Sequence, residues 1–148
     1  MSADVAIARA RVEASFARQT VMETIGARLL SVAAGAVEIG LEITPRVSQQ
    51  HGFVHAGIVA TIADSAAGYA GLTLMPEGRG VLTAEFKINL MAPASGDRLV
   101  ARGRVVKSGR LLTIAQAEVE AIEGDRTRTV ALLTATLVAV ENRQGVVD

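Results

Sequence analysis

Apolar and polar residues alternate with a period of two along much of the chain, which is the pattern of strands with one solvated face. Val37, Ile39 and Leu41, for example, would face one side of a strand, and the residues between them the other. The same alternation, interrupted by turn residues, predicts six strands, near 28–32, 37–43, 82–90, 98–107, 111–122 and 127–140. Short connections between consecutive strands indicate an antiparallel sheet.

Two other segments have helical spacing. The N-terminal one carries apolar residues on one helical face, at Val5, Ala8, Val12 and Phe16. Residues 56–75 are apolar on nearly every side, and Asp64 is their one charged residue. A membrane span is a poor interpretation, because a charge near the centre of a bilayer costs roughly 2.5–3.5 kcal/mol. The segment therefore predicts a helix that is buried on most of its circumference.

A helix buried in this way needs a layer wrapped around it. We therefore predict an α+β protein with the hotdog fold, in which a curved antiparallel sheet of about six strands surrounds one long central helix, with a short N-terminal helix. Alanines and glycines between residues 56 and 71 permit a close approach of helix and sheet. The length predicts a single domain over residues 1–148, with its core at about 20–140.

Composition then limits the possible chemistry. Fifteen basic residues balance fifteen acidic ones and aromatic residues make up 3%, so neither a basic surface nor a stacking platform for nucleic acid is predicted. There is no cysteine and there are two histidines, which excludes disulfides and thiolate or His-rich metal centres. We expect no metal, no cofactor, no nucleic acid and no membrane as partners. Residues 1–19 lack the apolar run of a signal peptide, so we expect a cytoplasmic location.

Two features of the central helix suggest chemistry. His55 leads into a helix start near Ala56, where the first backbone N–H groups have no intrahelical partner and can hold an oxyanion. Asp64 is a carboxylate in an apolar helix, and burying a charge is costly without partners. About 12 Å of helix separates Ala56 from Asp64, which is too far for one tetrahedral centre. Either the two groups do not cooperate, or Asp64 of one subunit meets the helix start of another in a two-fold dimer.

The chain also resembles a known family. The resemblance, which extends over about residues 20–140, is carried by His55-Ala56-Gly57, then Asp64, then Glu85-Phe86-Lys87-Ile88-Asn89-Leu90-Met91-Ala92-Pro93. These residues resemble the phenylacetate-pathway (PaaI-like) acyl-CoA thioesterases of the 4-hydroxybenzoyl-CoA thioesterase superfamily. The resemblance implies hotdog dimers, or dimers of dimers, that hydrolyse acyl-CoA substrates without a metal. It implies Asp64 as base or nucleophile, the Ala56 N–H as oxyanion donor, and catalytic roles for Gln49, His55 and Thr83.

The chain departs from the family pattern at two positions. The pattern is Asn, five residues, His-Gly-Gly, six residues and Asp, and here Gln49 replaces the Asn while Ala56 replaces the first glycine. A methyl group leaves the backbone N–H in place, whereas the longer Gln49 side chain changes the reach of its amide. Around the same helix start we predict three substrate-binding residues, namely Gly57, His51 and Thr61.

Other interpretations stay open at this stage. Asp64 could be a structural carboxylate satisfied by Thr61 or Ser65, and His55 could only anchor the helix start. Four basic residues could meet the CoA phosphates or could simply be solvated, namely Arg102, Arg104, Lys107 and Arg110. A non-catalytic acyl-CoA-binding module is an alternative function. So is a hotdog hydratase or dehydratase, which would pair a catalytic histidine with a helix carboxylate.

Overall fold

The computed structural model describes residues 3–141, 145, 146 and 148. The helices are α1 (Ala3–Arg18), α2 (Thr20–Ile25) and α3 (Ala56–Leu72), and a short 3-10 turn lies at Pro45–Val47. The strands are β1 (Ala27–Ala33), β2 (Ala36–Glu42), β3 (Arg79–Leu90), β4 (Arg98–Ser108), β5 (Leu112–Glu123) and β6 (Arg126–Glu141). The predicted order of a helix, two strands, a long helix and four strands is confirmed, with α2 as an addition.

The six strands form one antiparallel sheet in the order β1-β2-β4-β5-β6-β3. After α3 the chain enters the sheet at its far edge, where β3 pairs with β6. β3 and β4 are therefore consecutive in the chain but are not neighbours in the sheet. A sheet of this kind curved around one helix is the hotdog fold that the sequence predicted.

The face of the sheet that packs against α3 combines alanine with larger aliphatic residues. Its buried alanines are Ala101, Ala115, Ala117, Ala121, Ala131, Ala135 and Ala139. At Gly103 on β4 the approach is so close that a Cβ would overlap the backbone of Ala66 and Ala67 on α3. Small residues on both elements thus let the two backbones approach, as the alanine and glycine content of the helix predicted.

The N-terminal helices cover one end of this core. α1 has 16 residues and contains all four apolar positions from which the sequence predicted an N-terminal helix. Val12 on α1 and Met22 on α2 are buried in the core. The guanidinium of Arg11 donates to the carbonyl oxygens of Met75 and Arg79, which ties α1 to the turn between α3 and β3. Within the described residues, no helix is both long and apolar enough to cross a membrane.

Candidate active site

Asp64 lies in the middle of α3 and is bonded to Thr83 of β3. The Thr83 hydroxyl donates to Oδ1 of Asp64 at 2.8 Å. The hydroxyls of Thr61 and Ser65, the alternative partners of Asp64, are bonded elsewhere. Thr61 donates to the Gly57 carbonyl, and Ser65 donates to the Gln19 side chain between α1 and α2. Asp64 is half-buried, and among the described residues its Oδ2 has no donor. Thr83 is therefore the residue that holds this carboxylate.

A β-bulge in β3 turns Thr83 toward α3. Simple alternation would place Thr83 on the same face as Glu85, and Leu82 on the same face as Phe86. The register instead shifts between Thr83 and Glu85, and Thr83 is opposite Leu137, which is buried on the helix side of the sheet. The predicted grouping of Leu82 with Phe86 is therefore wrong, because the extra residue of a bulge reverses the faces of the residues before it.

Burial controls the acidity of Asp64. Desolvation raises its pKa above the ordinary value of 3.8, and the hydrogen bond from Thr83 opposes this shift without cancelling it. A carboxylate whose charged form is destabilised accepts a proton more readily, which suits a general base. Thr83 favours the ionised form and fixes one oxygen, so the other oxygen is left for chemistry.

Asp64 and Thr83 line a cavity of about 410 Å³, and the region around α1 supplies another of its walls. That wall is a series of hydrogen-bonded side chains that runs from Ser65 through Gln19, Tyr69 and Ser15 to Asp148. The successive distances between donor and acceptor atoms are 3.0, 3.2, 3.2 and 2.8 Å. This series of hydrogen bonds fixes α1 beside α3. The Tyr69 hydroxyl is bonded to its neighbours in the series and not to Asp64.

The start of α3 presents the backbone amide of Ala56. His55 is the N-cap residue: its N–H donates to the Val47 carbonyl at 2.9 Å, and its Nδ1 accepts from the Gly57 N–H at 2.8 Å. The N–H of Ile58 donates to the His55 carbonyl at 2.9 Å. Of the four amides from 55 to 58, the Ala56 N–H alone has no acceptor among the described residues. His55 thus anchors the helix start, and the Gly57 amide is already occupied.

Ala56 opens onto a second cleft of about 390 Å³ that is lined mainly by apolar side chains. The lining residues include Gln49, Phe53, His55, Val59, Leu90, Pro93 and Val130. Oε1 of Gln49 accepts from the backbone N–H of His51 within its own loop. The NH₂ group of Gln49 has no acceptor among the described residues, so it remains available to a ligand in this cleft.

The predicted catalytic residues therefore fall into two groups. Asp64 and Thr83 share the first cavity, whereas Gln49, His55 and Ala56 share the second. Eight residues of α3, or about 12 Å, separate Ala56 from Asp64. Within one chain, the carboxylate and the free amide do not line the same cavity.

The three predicted substrate-binding residues lie near the helix start, and their role stays a prediction. The Gly57 N–H and the Thr61 hydroxyl are both engaged in local hydrogen bonds, and His51 is exposed in the loop before α3. Sequence reasoning missed Gln19 as a cavity residue, because no pattern links it to α3. In the part of the chain that the structure describes, no three His, Asp or Glu side chains come together as metal ligands do.

Comparisons with known proteins identify the family. The model of the thioesterase superfamily matches residues 51–127, which include Asp64 and Thr83. A thioesterase family protein from Silicibacter pomeroyi is 47% identical, and its crystal structure superposes with a TM-score of 0.89 over 91% of this chain and 99% of that chain. The E. coli PaaI protein from the phenylacetic acid degradation operon has a TM-score of 0.82 at 20% identity, covering 93% and 96% of the two chains.

A sequence relative agrees with these structures. The 1,4-dihydroxy-2-naphthoyl-CoA hydrolase of Listeria monocytogenes is 23% identical over 122 residues, which are 82% of this chain and 96% of that protein. The resemblance noted in the sequence is thereby confirmed: the chain belongs to the thioesterase superfamily, and it is a thioester hydrolase with the hotdog fold.

Proposed function

We propose that the protein hydrolyses acyl-CoA thioesters to a free acid and CoA, and that each active site uses residues of two protomers. The observation that carries this proposal is the unpaired N–H of Ala56, about 12 Å along the helix from Asp64. In a two-fold dimer with antiparallel helices, Asp64 of one protomer would meet Ala56 of the other, and this would happen twice. The Listeria relative, which is named as the hydrolase of an acyl-CoA, supports this substrate class.

In this proposal the helix start holds the carbonyl of the thioester. The N–H of Ala56 donates to the carbonyl oxygen, and the positive end of the helix dipole favours the negative charge that develops there. The NH₂ group of Gln49, in the same cleft, supplies a second donor. His55 contributes by position, because its Nδ1 holds the Gly57 N–H and thereby fixes the first helical turn.

Asp64 of the other protomer then acts on the same carbonyl. As a general base it takes a proton from water, whose oxygen attacks the carbonyl carbon; the C–S bond then breaks and the CoA sulfur takes up a proton. As a nucleophile its own oxygen attacks, CoA leaves as the thiol, and water hydrolyses the resulting anhydride. Thr83 favours the ionised form of this carboxylate and orients it in both routes.

The edge strand β3 is a suitable dimer interface. Its 12 residues pair with β6 on one side only, so the backbone groups on the other side have no strand partner among the described residues. Phe86 and Leu90, on the helix side of β3, are 45% and 53% exposed. Apolar side chains beside an open strand edge favour association with a second copy. We therefore propose a homodimer or a dimer of dimers.

Release of free thiol from a panel of aryl and aliphatic acyl-CoAs, followed with a thiol reagent, tests this function. We expect turnover of at least one acyl-CoA, and a kcat lowered by about 10²–10⁴-fold in Asp64→Asn, the usual cost of losing a general base. Asp4→Asn makes the same change at an exposed position on α1 and should leave kcat unchanged. A kcat for Asp64→Asn within about threefold of the wild type would contradict the role of Asp64.

The same assay separates the alternatives. Binding of acyl-CoA without thiol release would favour a non-catalytic module, and loss of an enoyl absorbance without thiol release would favour a hydratase. The bond from the Gly57 N–H to Nδ1 of His55 argues against a hydratase, because it gives that nitrogen a structural role. A cytoplasmic location stays a prediction from the sequence.

A further inference from the structure

Four basic residues were candidates from the sequence for binding the CoA phosphates. They lie away from the cleft that contains Ala56. Arg102 is ion-paired with two glutamates, and Arg104 is bonded to a glutamine, both on the outer face of the sheet. Lys107 and Arg110 lie at the β4–β5 hairpin, at one end of β4. The segment before α3, which lines the cleft, bonds to the loop that precedes β4, at the other end of that strand. Within one protomer, none of the four lines this cleft.

Arg128 lies beside the cleft instead. One terminal nitrogen of its guanidinium donates to the Pro93 carbonyl at 2.8 Å and to the Ser95 hydroxyl at 2.9 Å. Pro93 lines the cleft, and so does Val130, two residues after Arg128 on β6. Arg128 is opposite Ala121, which is buried on the helix side of the sheet, so its side chain leaves the sheet on the face that carries α3.

The protein does not neutralise the charge of this guanidinium. Among the described residues no carboxylate pairs with Arg128, whereas Arg28, Arg79 and Arg102 each have a glutamate partner. The two acceptors of Arg128 are neutral oxygens, and both bond to the same nitrogen, so Nε and the other terminal nitrogen keep their N–H groups for a ligand. A planar guanidinium of this kind matches the geometry of a phosphate group.

We propose that Arg128 binds a phosphate group of CoA at the rim of the cleft that holds Ala56. The inference rests on the proposed function, because it takes the cleft to hold the thioester and the pantetheine arm. The phosphates of an acyl-CoA lie at the far end of that uncharged arm, so their site belongs at the rim and not on the apolar floor. Arg128 supplies a fixed positive charge there, on the same protomer as the oxyanion donor.

Titration calorimetry of CoA, dephospho-CoA and pantetheine against the wild type and Arg128→Gln tests this site. We expect Arg128→Gln to weaken CoA binding about tenfold, the usual effect of losing a charged hydrogen bond, and to leave the binding of pantetheine unchanged. A loss that disappears with dephospho-CoA assigns the contact to the 3′-phosphate, and a loss that persists assigns it to the diphosphate. In turnover, KM for acyl-CoA should rise by the same factor with kcat unchanged.

Arg28→Gln is the matched control, since it removes one positive charge on β1, at the sheet edge opposite β3, and should bind CoA like the wild type. Equal CoA affinity of Arg128→Gln and the wild type would overturn the inference, and so would an equal loss of pantetheine binding, which would mean a damaged cleft. A wild type that binds CoA but releases no thiol contradicts the proposed function, while the titrations still decide the phosphate site. A wild type that binds no CoA overturns both.

Discussion

Asp64 lowers the stability of the folded protein when it is charged, because burial raises its pKa above the value in an unfolded chain. The folded state therefore holds this proton more tightly. This loss of folding stability is absent below the ordinary pKa of 3.8, and it is fully present above the raised pKa of Asp64 in the folded protein.

We therefore expect Asp64→Asn to be more stable than the wild type at neutral pH, because an amide has no charge to desolvate and still accepts from Thr83. The difference should shrink as the pH falls toward 3.8. Urea unfolding of both proteins across this pH range measures the effect. A variant that is less stable than the wild type at neutral pH would contradict the cost assigned to the buried carboxylate.

Thr83 lowers the pH at which Asp64 loses its charge, against the larger effect of burial. Its hydrogen bond lowers the pKa of Asp64, so removing the donor raises that pKa further. In Thr83→Val the acidic limb of the kcat/KM profile should move to higher pH, while Thr83→Ser, which keeps a hydroxyl, should hold the limb near its original place. If the valine variant keeps the wild-type limb, Thr83 does not act through the charge of Asp64.

The sequence predicted Asp64 more directly than its surroundings. Asp64 is the one charged residue in the twenty residues 56–75, which is a local feature that the sequence shows by itself. The role of Thr83 was predicted only from the family resemblance, because strict alternation places its side chain on the wrong face of β3 and no glycine or proline marks the bulge. The bond from Gln19 to Tyr69 joins residues 50 positions apart, and no periodicity relates them.

At the level of the element, proline can remove the Ala56 N–H without removing the helix. At the first helical position the missing N–H breaks no intrahelical bond. His55 already has φ −58 and ψ 135, the extended conformation that a residue before proline prefers. We expect Ala56→Pro to fold and to lose about 10²–10³-fold in kcat, the usual cost of one oxyanion donor.

Ala56→Gly is the control, since it keeps the N–H and should stay near the wild type in kcat. Cooperative thermal melting of both variants shows whether the helix start is intact. The Gly57 amide is not a ready substitute donor, because it is bonded to Nδ1 of His55. A well-folded proline variant with undiminished kcat would therefore contradict oxyanion binding at the Ala56 amide.

Periodicity predicted the elements better than their order in the sheet. The six strands and the central helix follow from local alternation and spacing, and the alanine-rich face of the sheet agrees with a helix of small residues. The position of β3 at the far edge depends on how α3 crosses the sheet, which no single strand encodes.

At the scale of the whole molecule, the carboxylate and the free amide lie in separate cavities. Their spacing along α3 was predictable, because a helix rises about 1.5 Å per residue. The cavities themselves were not, since their walls come from α1, β3 and the loop around Pro93, which are far apart in the chain. Exposed Phe86 and Leu90 beside the open edge of β3 indicate where a second copy would join the two cavities.

Mixing two inactive variants tests the shared site most directly. Asp64→Asn removes the carboxylate from one chain, and Ala56→Pro removes the amide from the other. After subunit exchange every hybrid dimer has one intact site and one doubly altered site, so an equal mixture should regain roughly a quarter of the wild-type activity. If native mass spectrometry shows the hybrids while activity stays at the mean of the two parents, both groups act within one chain and the shared site is wrong.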